Sequence, residues 1–265
     1  LNKNTKSEDT SFNPERYNFL IINPKRNLNS IILSQKIKKA IYEAIDTLEL
    51  RKFVSNNWKI KEEMLPSKGS SVIFSGPPGT GKTVTAEAFA MNLGRKFLPV
   101  NYAHLESKYV GEMNKNIVAL FELSKKNDAI LFFDEADSVL GQRLTSVTQS
   151  SDHGVNMSRS VLLTELEKHN GIVIFSTNLA RNIDEAFRRR IFSFIEFELP
   201  GNEERKRLWE LYLPETVPRD KDITTEKCSS ESEGLSAADI QTAATKAMFS
   251  VALRIKLKGG LDVIN

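Results

Sequence analysis

The run Gly76-Pro77-Pro78-Gly79-Thr80-Gly81-Lys82-Thr83 decides how the rest of the chain is read. It follows a short apolar stretch, Val72-Ile73-Phe74, and opens an alanine-rich segment of helical character that begins with Val84. The pattern G-x-x-x-x-G-K-[ST] between a strand and a helix has a physical purpose. Small residues let successive backbone N–H groups curl round phosphate oxygens, and the helix that starts near Lys82 aims its positive dipole end at them. Lys82 is placed to reach the β- and γ-phosphates and Thr83 to ligate Mg²⁺, so the expected cofactors are ATP and Mg²⁺. A glycine-rich turn with a surface lysine would need neither the preceding strand nor the full spacing.

Composition sets the outer bounds. With 265 residues, 40% hydrophobic and 27% charged, the chain has globular composition and room for one large domain and one small one. Lys and Arg number 37 against 34 Asp and Glu, a balance of +3, which is not the footprint of a dedicated nucleic-acid binder. The single cysteine, Cys228, excludes an internal disulfide and a cysteine zinc site, and suits a reducing cytoplasm. No apolar run approaches the roughly 18 residues of a membrane span, and no signal-peptide core follows Leu1. Soluble and cytoplasmic is the expectation. A start at Leu1 rather than at methionine reads as a piece of a longer chain.

Taken in order, residues 1–30 are rich in Asn, Lys and Ser and read as an extended arm. From Ser34 to Phe53 the apolar positions Ile37, Ala40, Ile41, Ala44, Ile45 and Leu48 recur at three and four, the spacing of an amphipathic helix. Val72–Phe74 is a buried strand, Lys82–Leu93 a helix stopped by Gly94, and Phe97–Val100 a second strand. A helix around Ile117–Ser124 precedes the most apolar run of the chain, Ala129-Ile130-Leu131-Phe132-Phe133, which ends abruptly in Asp134-Glu135. Gly141–Asn156 reads as a polar loop, Val161–Leu166 as a helix, and Ile172–Phe175 as a further buried strand ending in Ser176-Thr177-Asn178. Alternating strands and helices predict a doubly wound parallel α/β sheet with its ligand at the carboxyl ends of the strands. After Pro200-Gly201 only helices are expected, one capped by Asn202 and one by the capping box Ser236/Asp239. The predicted division is an arm over 1–30, a large α/β nucleotide-binding unit over 31–200 and a small helical lid over 201–265.

The residues that carry chemistry lie at strand ends. Asp134 would hold the metal, mainly through water, and Glu135 would polarise the attacking water. Two adjacent carboxylates with separate tasks suit phosphoryl transfer, which depends on positioning and charge neutralisation. Asn178 is placed to orient that water or to contact the γ-phosphate. Arg188, Arg189 and Arg190 follow Asp184-Glu185-Ala186-Phe187 on a short helix and can supply an arginine finger. His104, His153 and His169 have no metal-ligand spacing.

These residues together resemble the AAA+ ATPases, and within them the AAA clade, over about residues 30–255. Gly76–Thr83 looks like the Walker A motif, Ile130–Glu135 like Walker B, Asn178 like sensor 1, and Asn182–Pro200 like the second region of homology. Gly234-Leu235-Ser236-Ala237-Ala238-Asp239-Ile240 resembles the clade's lid sequence. The resemblance implies that Gly76, Pro77, Pro78, Gly79, Thr80, Gly81, Lys82, Thr83, Val84 and Asp134 contact nucleotide. It also implies that Arg189 and Arg190 act on a neighbouring subunit's ATP, and that Tyr109-Val110-Gly111 form a pore loop that grips polypeptide. Two departures stand out. The finger arginines are adjacent, without the usual Pro-Gly between them, and no sensor 2 arginine stands in the lid cap. The arginine arrangement looks closest to bacterial ATPases found beside contractile injection systems.

The implied function is ATP hydrolysis at the subunit interfaces of a homo-oligomeric ring, a hexamer, coupled to threading or remodelling of a protein substrate. The rival reading is nucleic-acid work. Asp134-Glu135-Ala136-Asp137 spells the signature of DEAD-box helicases, and DNA-directed AAA+ machines share the P-loop. The helicase needs a second RecA-like domain, which helical sequence after Pro200 does not provide, and the mild charge argues against both.

Overall fold

An apolar run without alternation has to be covered on both faces, and the strands of this chain alternate between two separate cores. The computed structural model describes residues 19–58, 70–105, 112–141, 150–178 and 183–258. Helix α1 (Gln35–Trp58) precedes strand β1 (Ser70–Ser75), which is followed by α2 (Lys82–Asn92), β2 (Lys96–Asn101), α3 (Glu112–Asn127) and β3 (Ala129–Asp134). Then come α4 (Asp137–Leu140), α5 (Ser150–Lys168), β4 (Ile172–Thr177), α6 (Glu185–Arg188) and β5 (Ile191–Glu196). The helices α7 (Asn202–Tyr212), α8 (Thr225–Glu231) and α9 (Ala237–Lys258) complete the described chain.

The strands form one parallel five-stranded sheet in the order β2-β3-β4-β1-β5. Val72, Phe74, Ile130, Phe132, Ile172 and Ile174 point to a core shared with Ile37, Ile41, Ala44 and Ile45 of α1 and Ala86, Phe89 and Ala90 of α2. Their chain neighbours Ile73, Leu131, Phe133, Val173 and Phe175 point the other way, onto Ile117, Leu120 and Phe121 of α3 and Leu162 and Leu166 of α5. Successive strand residues face opposite sides, so each strand feeds both cores and the result is a three-layer α/β/α sandwich. Phe133 and Phe175 stack across adjacent strands with ring centroids 5.3 Å apart.

Because β4 lies between β3 and β1, the carboxyl ends of β1, β4, β3 and β2 stand side by side. They deliver Gly76, Asn178, Asp134-Glu135 and Asn101 to one rim of the sheet. The free edge of β2 is covered by the segment before α1, where Ile22 and Phe97 exchange two backbone hydrogen bonds of 2.9 Å. Such pairing blunts an exposed edge.

Several elements differ from the sequence reading. Helix α5 begins at Ser150, inside the stretch read as polar loop; its early polar residues are held from α3, as where Ser158 donates to Asn114. Strand β5 was not anticipated. It is a sheet edge paired only with β1, and its partly exposed face blurs the apolar signal. Gly201, not Asn202, is the N-cap of α7, and the Asn202 carboxamide oxygen instead accepts from Ser229 Oγ at 2.7 Å. Helix α8, capped by Thr224, is short and polar and also went unread. The box at α9 is formed as expected, with Asp239 N–H donating to Ser236 Oγ and Ser236 N–H to Asp239 Oδ2. Helices α7 and α9 share a small apolar cluster of their own around Leu213, Ala244 and Val251, joined by Trp209 and Met248. Among the described residues no second sheet follows β5, and no helix is long and apolar enough to cross a membrane.

Candidate active site

The turn after β1 takes its shape from its glycines. Gly76, Gly79 and Gly81 all have positive φ, of 137°, 73° and 94°, a conformation that L side chains resist. A Cβ on Gly76 would lie 2.1 Å from the Phe197 carbonyl oxygen, and one on Gly79 2.4 Å from Ser236 Oγ. The loop is therefore clamped between the strand behind it and the first turn of α9, where Ala238 N–H donates to the Gly79 carbonyl at 3.2 Å. Thr80 Oγ1 donates to the Pro77 carbonyl at 2.8 Å, closing the loop on itself.

Lys82 opens α2 and is 7% exposed. Its ammonium donates to the carbonyls of Gly76 (2.7 Å) and Pro77 (2.9 Å) and to Asn178 Oδ1 (2.9 Å). Burial pushes its pKa below the ordinary lysine value, and the charges of Asp134 and Asp137 oppose that shift. An ammonium held by neutral loop carbonyls can exchange those bonds for phosphate oxygens, which are stronger acceptors. One residue on, Thr83 Oγ1 donates to Asp134 Oδ2 at 2.8 Å. A hydroxyl and a carboxylate at this distance form a hard-oxygen pair that fits Mg²⁺, which takes few protein ligands and keeps several waters.

Glu135 sits beyond the end of β3 with φ +54°, in the left-handed region. For a residue with a Cβ this costs on the order of 1–2 kcal/mol, and strain of this kind collects at functional positions. Its carboxylate is exposed and accepts from Asn101 Nδ2 at 2.9 Å, while its own N–H donates to Asp134 Oδ1 at 3.1 Å. Asn178 is fixed from behind: Asp137 Oδ1 accepts from the Asn178 N–H at 2.9 Å and from Thr177 Oγ1. Ala136 N–H donates to the Ser176 carbonyl at 2.9 Å, tying the end of β3 to the end of β4.

Around these groups lies an open cavity of about 610 Å³. Its floor is the loop from Pro78 to Val84 with Asp134, Glu135 and Asn178, and its far wall combines Ile31 and Ile32 with Leu208, Leu211 and Tyr212 of α7. Polar groups at one end and aliphatic and aromatic ones at the other match a ligand with a phosphate tail and a flat heterocycle.

The structure thus brings Gly76 to Val84, Asp134, Glu135 and Asn178 together. It adds Asn101 and Asp137, which sequence reasoning missed. Asn101 is the last residue of β2, so strand-end position is the one signal that could have found it. Arg188, Arg189 and Arg190 do not line the cavity, whose walls carry Lys82 and Arg26 as cations. Arg190 is held by Glu167 and by the Ala186 carbonyl, whereas the Arg189 side chain is 73% exposed and pairs only with Glu185 on its own helix, at 2.5 Å. Tyr109, Val110 and Gly111 lie outside the described residues.

Residues 72–199 match the family model described as "ATPase family associated with various cellular activities (AAA)". The chain is 30% identical over 243 residues to the meiotic spindle formation protein mei-1 of Caenorhabditis elegans, covering 88% of this chain and 50% of that protein. A katanin p60 ATPase-containing protein of Rattus norvegicus is 33% identical over 252 residues, covering 89% and 49%. A putative 26S proteasome regulatory protein homolog of Methanothermobacter marburgensis is 35% identical over 189 residues, covering 69% and 50%. This chain spans about half the length of the curated relatives it matches. In fold it is similar to the FIGL-1 AAA domain solved with ADP, with a TM-score of 0.73 at 23% identity over 96% of this chain and 88% of that one. None of these relatives is an injection-system ATPase, so that narrower resemblance stays without support.

Proposed function

Because the chain belongs to the AAA family of ATPases, we propose that it hydrolyses MgATP at the subunit interfaces of a homo-oligomeric ring, a hexamer, and couples turnover to threading or remodelling of a protein substrate. In this reading the loop from Gly76 to Val84 cradles the phosphates, and Lys82 supplies fixed positive charge to the β- and γ-phosphates. Thr83 and Asp134 hold Mg²⁺, Asp134 mainly through water; the metal's chemistry is to neutralise developing charge on the phosphate oxygens. Glu135 accepts a proton from the attacking water, and Asn101, in reach of its carboxylate, sets where that carboxylate rests. Asn178, already bonded to Lys82, orients the water against the γ-phosphate. The helices α7 to α9 act as the lid, and the cytoplasm is its compartment.

One observation carries the shared-site part of this reading. The cavity gathers a loop, a lysine, a metal pair and a base, but none of the three consecutive arginines lines it, and Arg189 projects outward. A transferring phosphoryl group needs more positive charge than Lys82 and the metal supply, and an arginine finger is worth about 10³–10⁵ in rate. Arg189 of one subunit would provide it to the next, with Arg190 holding the finger's base. Tyr109, Val110 and Gly111 are proposed to grip the substrate in the ring's channel.

The test mixes two proteins. Glu135→Gln and Arg189→Ala should each be nearly inactive alone, and an equimolar mixture should recover ATPase activity, because Glu135→Gln subunits lend intact arginines to intact Arg189→Ala sites. Co-assembly without recovery, checked by light scattering, would overturn the shared site.

A further inference from the structure

Helix α6 is one turn long, far below the length at which a helix holds itself together, yet it carries the arginines. Its position must come from what it packs against. At its start, Asp184 caps the helix by accepting from Ala186 N–H at 2.7 Å and, through its second oxygen, accepts from Arg159 Nη2 at 3.0 Å. The Arg159 side chain is 4% exposed and its guanidinium carbon lies 5.9 Å from the centre of the Phe187 ring. Phe187 is fully buried against Phe175 of the central sheet. At the other end of α6, Arg190 bonds Glu167. Arg159 and Glu167 both belong to α5, eight residues and so about 12 Å apart. Asp184, Phe187 and Arg190, spaced by three, face inward, and that spacing turns Arg189 outward.

We propose that Arg159 is a positioning residue for Arg189: through Asp184 and Phe187 it sets the height and rotation at which α6 presents that side chain to a neighbouring subunit. The assignment rests on the shared-site reading of Arg189. An apolar pair would seal the α5–α6 seam as well as a buried ion pair does, since replacing such pairs by packed apolar groups is often neutral for stability. What a guanidinium gripping one carboxylate and lying over one ring adds is direction. Misplacement of a reacting group by about 1 Å can cost a hundredfold in rate, so a finger on a single turn needs such a reference point.

The experiment compares Arg159→Met, Arg159→Lys and the double variant Arg159→Met/Asp184→Ser, which keeps a capping oxygen and leaves no unpaired buried charge if Arg159→Met alone does not fold. The expected result for the refilled seam is an unchanged KM for ATP with kcat down at least tenfold, a split that marks loss of an interaction made in the transition state. Activity should return on mixing with Glu135→Gln, and adding Arg189→Ala to the same chain should cost nothing further. Arg159→Lys, which keeps the charge, should recover part of kcat. Full activity of the double variant alone overturns the proposal. So does a dead variant that is not recovered by Glu135→Gln while Arg189→Ala is recovered, since the damage then lies in its own site. If Arg189→Ala itself is not recovered, the shared-site reading fails first and takes this assignment with it.

Discussion

Asp137 shows how the site is built from residues that never touch nucleotide. One of its oxygens accepts from Thr177 Oγ1 and from the Asn178 N–H, so Asn178 is aimed by a residue three positions beyond Asp134. Asp137→Ala leaves a half-buried hydroxyl and an amide without their acceptor, at about 1–3 kcal/mol. It should lower both the urea midpoint and kcat, with ATP affinity, measured by titration calorimetry, changing less than kcat. Parallel loss of affinity and kcat would place Asp137 in the scaffold alone. His169 supplies a second residue-scale prediction. It is 6% exposed, its ring meets Phe121 edge-on at 5.1 Å, and its Nε2 has no partner. Burial, with Lys125 and Arg95 adding to it, holds its pKa down at about 4 from 6.5. The unfolded chain therefore takes up this proton first. The contribution to stability is complete above pH 6.5 and is lost as pH falls toward 4, up to about 3 kcal/mol. Unfolding midpoints measured across that window should fall less steeply for His169→Leu than for the parent chain, and equal slopes would refute the assignment. Sequence spacing revealed Lys82, Thr83, Asp134 and Glu135 because their partners are local or their pattern is fixed. It could not reveal Asn101 or Asp137, whose roles depend on β2 and β4 standing beside β3.

Elements were legible where burial was two-sided or strictly periodic. The runs that became β1, β3 and β4 are apolar on both faces, and α1 repeats at three and four. Strand β5, covered only from β1, and the short polar α8 carry no such signature. The start of α5 at Ser150 was hidden because its first turns are polar and anchored by contacts with α3 rather than by propensity. The contact between the P-loop and α9 was equally out of reach, since it joins residues far apart in the chain. There Ala238 N–H bonds the Gly79 carbonyl, and Ser236 fills the space a Gly79 side chain would need. Ser236 thus caps α9 and also sets the height at which α9 meets the phosphate loop. Ser236→Ala should cost about 1 kcal/mol from the lost cap, or roughly 2–4 °C in Tm for a chain of this size. Because that turn rests on the loop, it should also weaken nucleotide binding several-fold. A lower Tm with unchanged affinity would show that the cap serves α9 alone.

At the scale of the whole molecule, the features point in two directions at once. The carboxyl rim of the sheet gathers everything that binds MgATP and activates water on one chain, while Arg189 stands outside that cavity. A single copy would then hold a complete binding site and an incomplete catalytic one. Binding should be independent of protein concentration, because the loop, Lys82 and the metal pair all come from one chain. Turnover per chain should not be, because the missing charge arrives only with a neighbour. Diluting the protein through its assembly range should lower the ATPase rate per chain by at least tenfold at saturating ATP, while nucleotide affinity per chain holds constant. Light scattering on the same series should show the mass falling in step with activity. Glu135→Gln, which binds ATP without consuming it, should hold the assembly near six times the 29.9 kDa of the chain. A rate per chain that stays constant while the mass drops to that of one copy would mean that each chain completes its own site. Arg188 to Arg190 would then be a solvated face, and the ring would have no part in the chemistry.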